Sequence, residues 1–217
     1  METPVVPRRR FRRWLGLRFG LDEAGGDRIA RRITHCLGAL LLVYFVLPED
    51  FFVVAPKDVI VLAALAAACV LEGLRHAIGF DLPMIRPYEE HRVASFVFYS
   101  IALAGAVLLF PVPIAAAVIL GTALVDPIAG ELRLSARHRS WYPALPFVAY
   151  SVLAFVGLSL IGGWPIGWGV VLALVAAGVG LAAEYPKIPW VDDDLAMTFA
   201  PALVLFGLGV LGLGLTG

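Results

Sequence analysis

Ionisable residues are sparse in this chain and gather in five short constellations separated by apolar sequence. Arg28, Arg31, Arg32 and His35 recur at offsets of 0, 3, 4 and 7, which places them on one face of a helix. Such a stripe receives phosphate or anchors in lipid headgroups. His35 lies deeper than the arginines, among apolar neighbours. Glu72, Arg75 and His76 repeat the pattern at i, i+3 and i+4, where an internal ion pair is the simplest account. An acid at that depth still needs a partner or a task, because a lone charge in apolar surroundings is expensive. The loop Arg86-Pro87-Tyr88-Glu89-Glu90-His91-Arg92 leads into Ser95 and Tyr99, two hydroxyls one turn apart on the next helix.

Two acidic constellations follow. Asp126-Pro127-Ile128-Ala129-Gly130-Glu131 puts an aspartate where the proline is expected to break the helix, beside small residues that let a ligand approach the backbone. An aspartate at such a break suits Mg2+ held on a phosphate. Glu184 closes one apolar run, and Pro189-Trp190-Val191-Asp192-Asp193-Asp194 opens the next. One aspartate before a helix caps it and favours its dipole, but three in a row repel one another and call for a cation. Gly207-Leu208-Gly209-Val210-Leu211-Gly212 matches G-x-G-x-x-G, yet it sits inside an apolar run and reads as packing glycine. The sequence has no Walker A motif, no G-x-S-x-G and no metal-spaced Cys/His set. Cys36 and Cys69 fall in apolar stretches and read as small hydrophobes.

The elements that must position these groups are membrane helices. The chain has 217 residues, 60% of them hydrophobic and 16% charged, with a mean hydropathy of +0.88. That composition belongs to a polytopic α-helical membrane protein. Seven apolar segments can be drawn, at about 33–47, 59–74, 93–110, 114–125, 144–161, 166–183 and 195–215. The expected fold is an all-α bundle of about seven transmembrane spans. Residues 1–30, with Arg8-Arg9-Arg10-Phe11-Arg12-Arg13, read as an uncleaved basic cytoplasmic or interfacial segment ahead of one domain at 31–217. With the N-terminus inside, sixteen of the seventeen Lys and Arg residues fall on the cytoplasmic side, and only Lys57 lies opposite. Most acids share that side, which positive-inside sorting does not require. The expected location is the cell membrane, with the charged face cytoplasmic. Nothing points to a nucleic-acid partner, and a homo-oligomer stays open.

The order of the constellations resembles the dolichol kinase, phytol kinase and CTP-dependent diacylglycerol kinase family, relatives of the phosphatidate cytidylyltransferases. The matching pieces are Arg31-Arg32-Ile33-Thr34-His35 and Glu72-x-x-Arg75. Then come Arg86, Glu89 and Glu90 leading to Ser95 and Tyr99, Asp126-x-x-Ala129-Gly130, Glu184, and Trp190-Val191-Asp192-Asp193-Asp194-Leu195. They span 31–195. After the Asp126 element the family carries a Lys-Ser-x-Glu-Gly-type motif; here Arg139-Ser140 stands in its place, without the glutamate and glycine.

The resemblance implies a membrane lipid-alcohol kinase that transfers a phosphoryl group from CTP to a polyisoprenoid alcohol or a similar lipid hydroxyl. Such transfer needs positioning and charge neutralisation more than covalent chemistry. Asp126, Glu184, Asp192, Asp193 and Asp194 would hold Mg2+, and Arg32, Arg75, Arg86, Arg92, Arg139 and Ser140 would hold phosphate. His35, Glu72, Glu90 and Asp126 would make up the catalytic set, with Glu90 or His35 orienting or deprotonating the hydroxyl. Ser95 and Tyr99 would meet the lipid acceptor. Two alternatives remain, a cytidylyltransferase that forms a CDP-lipid and a degenerate lipid-binding or scaffold protein.

Overall fold

The computed structural model of the chain describes residues 23–49, 51, 55–79, 85–86, 89, 91–185 and 191–210. Among these the regular structure is all helical. Helix α1 (Glu23–Leu37) runs into a 3₁₀ helix (Gly38–Phe45), followed by α2 (Lys57–Ile78), α3 (Ser95–Leu109) and α4 (Val112–Leu134). A short 3₁₀ turn (Arg139–Trp141) precedes α5 (Ala144–Phe155), which continues as a π-helix (Val156–Ile161). Helices α6 (Ile166–Ala183) and α7 (Asp193–Val210) complete the described chain. Each of the seven apolar segments is thus helical over most of its described part. Among the described residues, three stretches are long and apolar enough to cross a membrane: Val112–Leu134, Ala144–Ile161 and Ile166–Ala183.

Helix α4 is the centre of the bundle. It packs against α1, the 3₁₀ stretch, α3, α5 with its π-helical end, α6 and α7, whereas α2 packs mainly on α3. An apolar helix surrounded on every side has no polar face to give to solvent, and Ile114, Val118, Ile119 and Val125 are accordingly buried. Small residues permit the close approaches. A Cβ on Gly157 would run into the backbone of Ala116 and Ala117, and one on Gly121 into the Tyr150 ring. Two of the polar groups inside the bundle find internal partners, as apolar surroundings favour. Tyr150 donates to the Met197 carbonyl at 3.3 Å, and the Thr198 hydroxyl donates to Thr122 at 3.0 Å. Leu40, Val70, Val152, Leu160, Ile166 and Leu203 are exposed, an outer surface suited to hydrocarbon rather than water.

Two sequence expectations need correcting. Pro127 does not break its helix: α4 runs past it to Leu134, about two turns beyond the expected end. Proline removes one amide donor, but Val125, Ala129 and Leu132 remain buried on the inward face and hold the helix together across the gap. Asp126, Gly130 and Arg133 then share the other face at i, i+4 and i+7. The segment at 33–47 is also not one uniform α-helix, because it tightens to 3₁₀ at Gly38. At that junction a Cβ would collide with the Tyr99 hydroxyl.

The Gly157 contact yields a stability prediction. Gly157→Ala should cost about 1–3 kcal/mol through overpacking, read as a lower thermal midpoint in detergent. Gly167→Ala, where a Cβ meets nothing within 4 Å, should not lower it. Equal midpoints for the two variants would contradict this packing.

Candidate functional site

One end of the bundle gathers charge from four separate segments. A polar pocket of about 210 Å³ is lined by Arg31, Arg32 and His35 of α1, by Arg86 between α2 and α3, by Asp126, Gly130 and Arg133 of α4, and by Asp193 of α7. The α1 stripe faces inward because its helix packs on the C-terminal half of α4. Gly130 lets the Arg32 guanidinium lie close against the helix there, where a Cβ would displace it. Arg32 is held from the other side by an ion pair with Glu131, which Arg28 also approaches at 3.7 Å.

His35 sits at the deep end of this pocket and is 6% exposed. Its Nδ1 lies 3.6 Å from Asp126 Oδ2, and its Nε2 lies 3.5 Å from Asp194 Oδ2. The ring stacks on Tyr99 with centroids 4.3 Å apart, and the Tyr99 hydroxyl donates to the His35 carbonyl at 2.6 Å. Tyr99 is buried in this contact, so it positions His35 rather than offering a hydroxyl to a lipid. Burial pushes the Asp194 carboxyl well above the usual carboxylate range, Asp126 and Asp192 add to this, and Arg86 opposes it.

The three aspartates at the start of α7 divide their work. Asp192 accepts from the Asp194 amide at 3.3 Å, the bond of a helix N-cap, and approaches Arg92 at 3.7 Å. Asp193 lines the pocket, and Asp194 faces His35.

Several residues expected in the site belong to the frame around it. Glu72 accepts from Arg75 Nε at 2.9 Å and Nη2 at 2.7 Å, and from the Ala94 amide at 2.8 Å. Arg75 also donates to the Arg92 carbonyl at 2.6 Å. This closed, buried set ties α2 to the start of α3, and neither Glu72 nor Arg75 lines the pocket. Glu89 accepts from the Arg86 amide at 2.9 Å and the Ser95 amide at 3.3 Å, so it caps α3 and fixes Arg86. Glu184 is buried, pairs with Arg133 and accepts from the Tyr142 hydroxyl at 3.2 Å. Burial, helped by a hydrogen bond with Tyr185, pushes that hydroxyl up to about 12, so Tyr142 remains a donor. Glu184 therefore aims Arg133 into the pocket and is not among the grouped cation ligands. Arg139 and Ser140 are exposed on their turn and do not line the pocket. Glu90 lies outside the described residues, as do most of residues 1–30.

Arg133 was not anticipated from the sequence. Its signal was the i+7 offset from Asp126, hidden by reading Pro127 as a break. In chemical terms the pocket offers arginines for an anion and, beside them, an imidazole and two carboxylates whose ligand atoms lie within 4.8 Å of one another. His35 Nδ1 is buried without a hydrogen-bond partner among the described residues. This donor set fits a divalent cation that is held together with a phosphate. Comparison of the chain with protein-family models, curated proteins and solved structures gave no match.

The closed Glu72–Arg75 set carries its own test. Glu72→Ala strands a buried guanidinium, which should cost about 3–5 kcal/mol in thermal unfolding, while the folded fraction keeps its affinity for inorganic pyrophosphate. Weakened pyrophosphate binding with an unchanged midpoint would move Glu72 into the site.

Proposed function

We propose that the protein is a membrane lipid-alcohol kinase, which moves the terminal phosphoryl group of a nucleotide onto the hydroxyl of a polyisoprenoid or similar lipid. The carrying observation is the meeting of Asp126, Asp194 and His35 with Arg31, Arg32, Arg86 and Arg133 at one polar end of an apolar bundle. The motif order supports CTP as the donor and Mg2+ or a similar divalent cation as the cofactor. Asp126, Asp194 and His35 would hold the cation, which when bound neutralises charge on the transferring phosphate. The arginines grip phosphate oxygens, and Glu184 keeps Arg133 aimed at them. Asp193, which lines the pocket outside the cation group, takes the hydroxyl's proton.

An apolar groove of about 340 Å³, lined by Leu40, Tyr44, Val61 and Leu103 among others, runs between the 3₁₀ stretch, α2 and α3. Its 3₁₀ wall continues from α1, which carries His35, and its α3 wall carries Tyr99, so it suits the acceptor's hydrocarbon chain. In the cell membrane, all seven helices would cross, with the N-terminus and the charged pocket on the cytoplasmic side.

The exposure of Arg139 and Ser140 favours a second reading, in which the chain binds lipid phosphate as a scaffold without transferring it. Labelled CTP separates the possibilities. Purified protein with a polyprenol should move γ-label and no α-label into lipid, and Asp126→Asn and Asp194→Asn should each lower the rate at least about 100-fold. Appearance of α-label in the lipid would make the protein a cytidylyltransferase, and absence of transfer with retained pyrophosphate binding would make it the scaffold.

Topology is tested by single cysteines in a background lacking Cys36 and Cys69. His138→Cys should react with an impermeant maleimide only from the cytoplasmic side, and Glu49→Cys only from the opposite side. Reaction of both from one side would overturn the seven-span arrangement.

A further inference from the structure

His35, Asp126 and Asp194 stand too far apart to be a hydrogen-bonded relay. The two imidazole–carboxylate distances are 3.6 and 3.5 Å, whereas hydrogen bonds of this kind close to about 2.7–3.2 Å. Two ligands that each sit about 2.1 Å from one ion are about 3.0–4.2 Å apart, depending on the angle between them. The two distances start from different ring nitrogens, and one ion binds only one of these, so the pair that counts is Nδ1 and Asp126 Oδ2, whose 3.6 Å falls in that window. One ligand atom from each of the three residues lies within 4.8 Å of the others. The second observation is independent of the acids: His35 is 6% exposed, and its Nδ1 is buried with no hydrogen-bond partner among the described residues. A buried, unsatisfied imidazole nitrogen facing a carboxylate calls for a ligand. The ring is also held in place before any ion arrives, by the Tyr99 stack and by the Tyr99 bond to the His35 carbonyl.

We propose that His35, Asp126 and Asp194 form a site for a divalent transition metal, with the His35 imidazole as a direct ligand and Mn2+ preferred over Mg2+. The preference follows from the donor set. Mg2+ is a hard ion that keeps oxygen ligands and sheds water reluctantly, so an imidazole is a poor partner for it. First-row transition ions accept imidazole nitrogen, and Mn2+ takes nitrogen while still favouring carboxylate and phosphate oxygens. His35 is thereby a metal ligand and does not act as the base for the acceptor hydroxyl. The inference rests on reading this pocket as a cation-assisted phosphoryl site, but its test needs neither nucleotide nor lipid. Protein that binds Mn2+ through His35 and transfers no phosphoryl group would leave the metal site standing and overturn the kinase.

The test is Mn2+ binding to the purified, chelator-treated full chain in detergent, followed by electron paramagnetic resonance. The wild type should bind one tight Mn2+, show electron spin-echo modulation from imidazole nitrogen, and release the ion to Mg2+ only at an excess of ten-fold or more. His35→Gln should abolish the nitrogen modulation and bring Mn2+ and Mg2+ affinities within about three-fold of each other, while Asp126→Asn and Asp194→Asn should each weaken both ions at least ten-fold. A triple variant, His76→Gln/His91→Gln/His138→Gln, must retain the modulation, which assigns it to His35, and Mn2+ binding retained by His35→Gln shows that this variant is folded. Mn2+ bound without nitrogen modulation in the wild type, modulation lost in the triple variant, or equal Mn2+ and Mg2+ affinity would overturn the proposal.

Discussion

Helix α4 must be apolar on every side through most of its length and polar on one face at its end, and the polar end of the molecule depends on that combination. Its first turns are enclosed by other helices, so they carry alanine, valine and isoleucine. Apolar surroundings demand that backbone groups pair within the helix, and Pro127 removes one donor just where the polar face begins. Packing of Ala129 and Leu132 carries the helix across. Because it continues, Asp126, Gly130 and Arg133 stay in register and contribute a carboxylate, an opening and a guanidinium to one pocket.

Around that face, charge is arranged in two layers. Glu72, Glu89, Glu131, Glu184 and Asp192 are each answered by arginine or backbone amides, and Arg32 with Glu131, Arg133 with Glu184 and Arg92 with Asp192 join segments far apart in sequence. Buried pairs of this kind add little net stability, because desolvation offsets most of the attraction. Their effect is geometric: they fix the start of α3, the direction of Arg133 and the entry angle of α7. Inside this frame lie His35, Asp126 and Asp194, whose spacing is too wide for mutual hydrogen bonds and suited to an ion between them.

The pocket's size agrees with that division. About 210 Å³ is below the usual range for a whole organic ligand, about 300–1,000 Å³; in the proposed function it would take only a phosphate end with its cation. Recognition there would be of charge and geometry, with the rest of a nucleotide or lipid lying outside the charged cleft.

Helix placement was legible from composition and hydropathy, and three of the described helices are long and apolar enough to cross a membrane. The segments at 144–161 and 166–183 appear at their expected limits, and the one-face spacing of Arg31, Arg32 and His35 is met in α1. A helix end set by packing was not legible: Pro127 reads locally as a break, and only burial against neighbouring helices overrides it. Nor does spacing tell a framing acid from a site acid. Glu72 and Glu184 look like Asp126 in the sequence, and what separates them is the partner that the fold brings up, Arg75 with the Ala94 amide, Arg133, or His35. Charge type and helical face follow from local sequence. Which charges neutralise one another, and which are left facing a shared gap, depends on distances between segments about 90 and 160 residues apart, such as those from His35 to Asp126 and Asp194, and only the tertiary structure sets these.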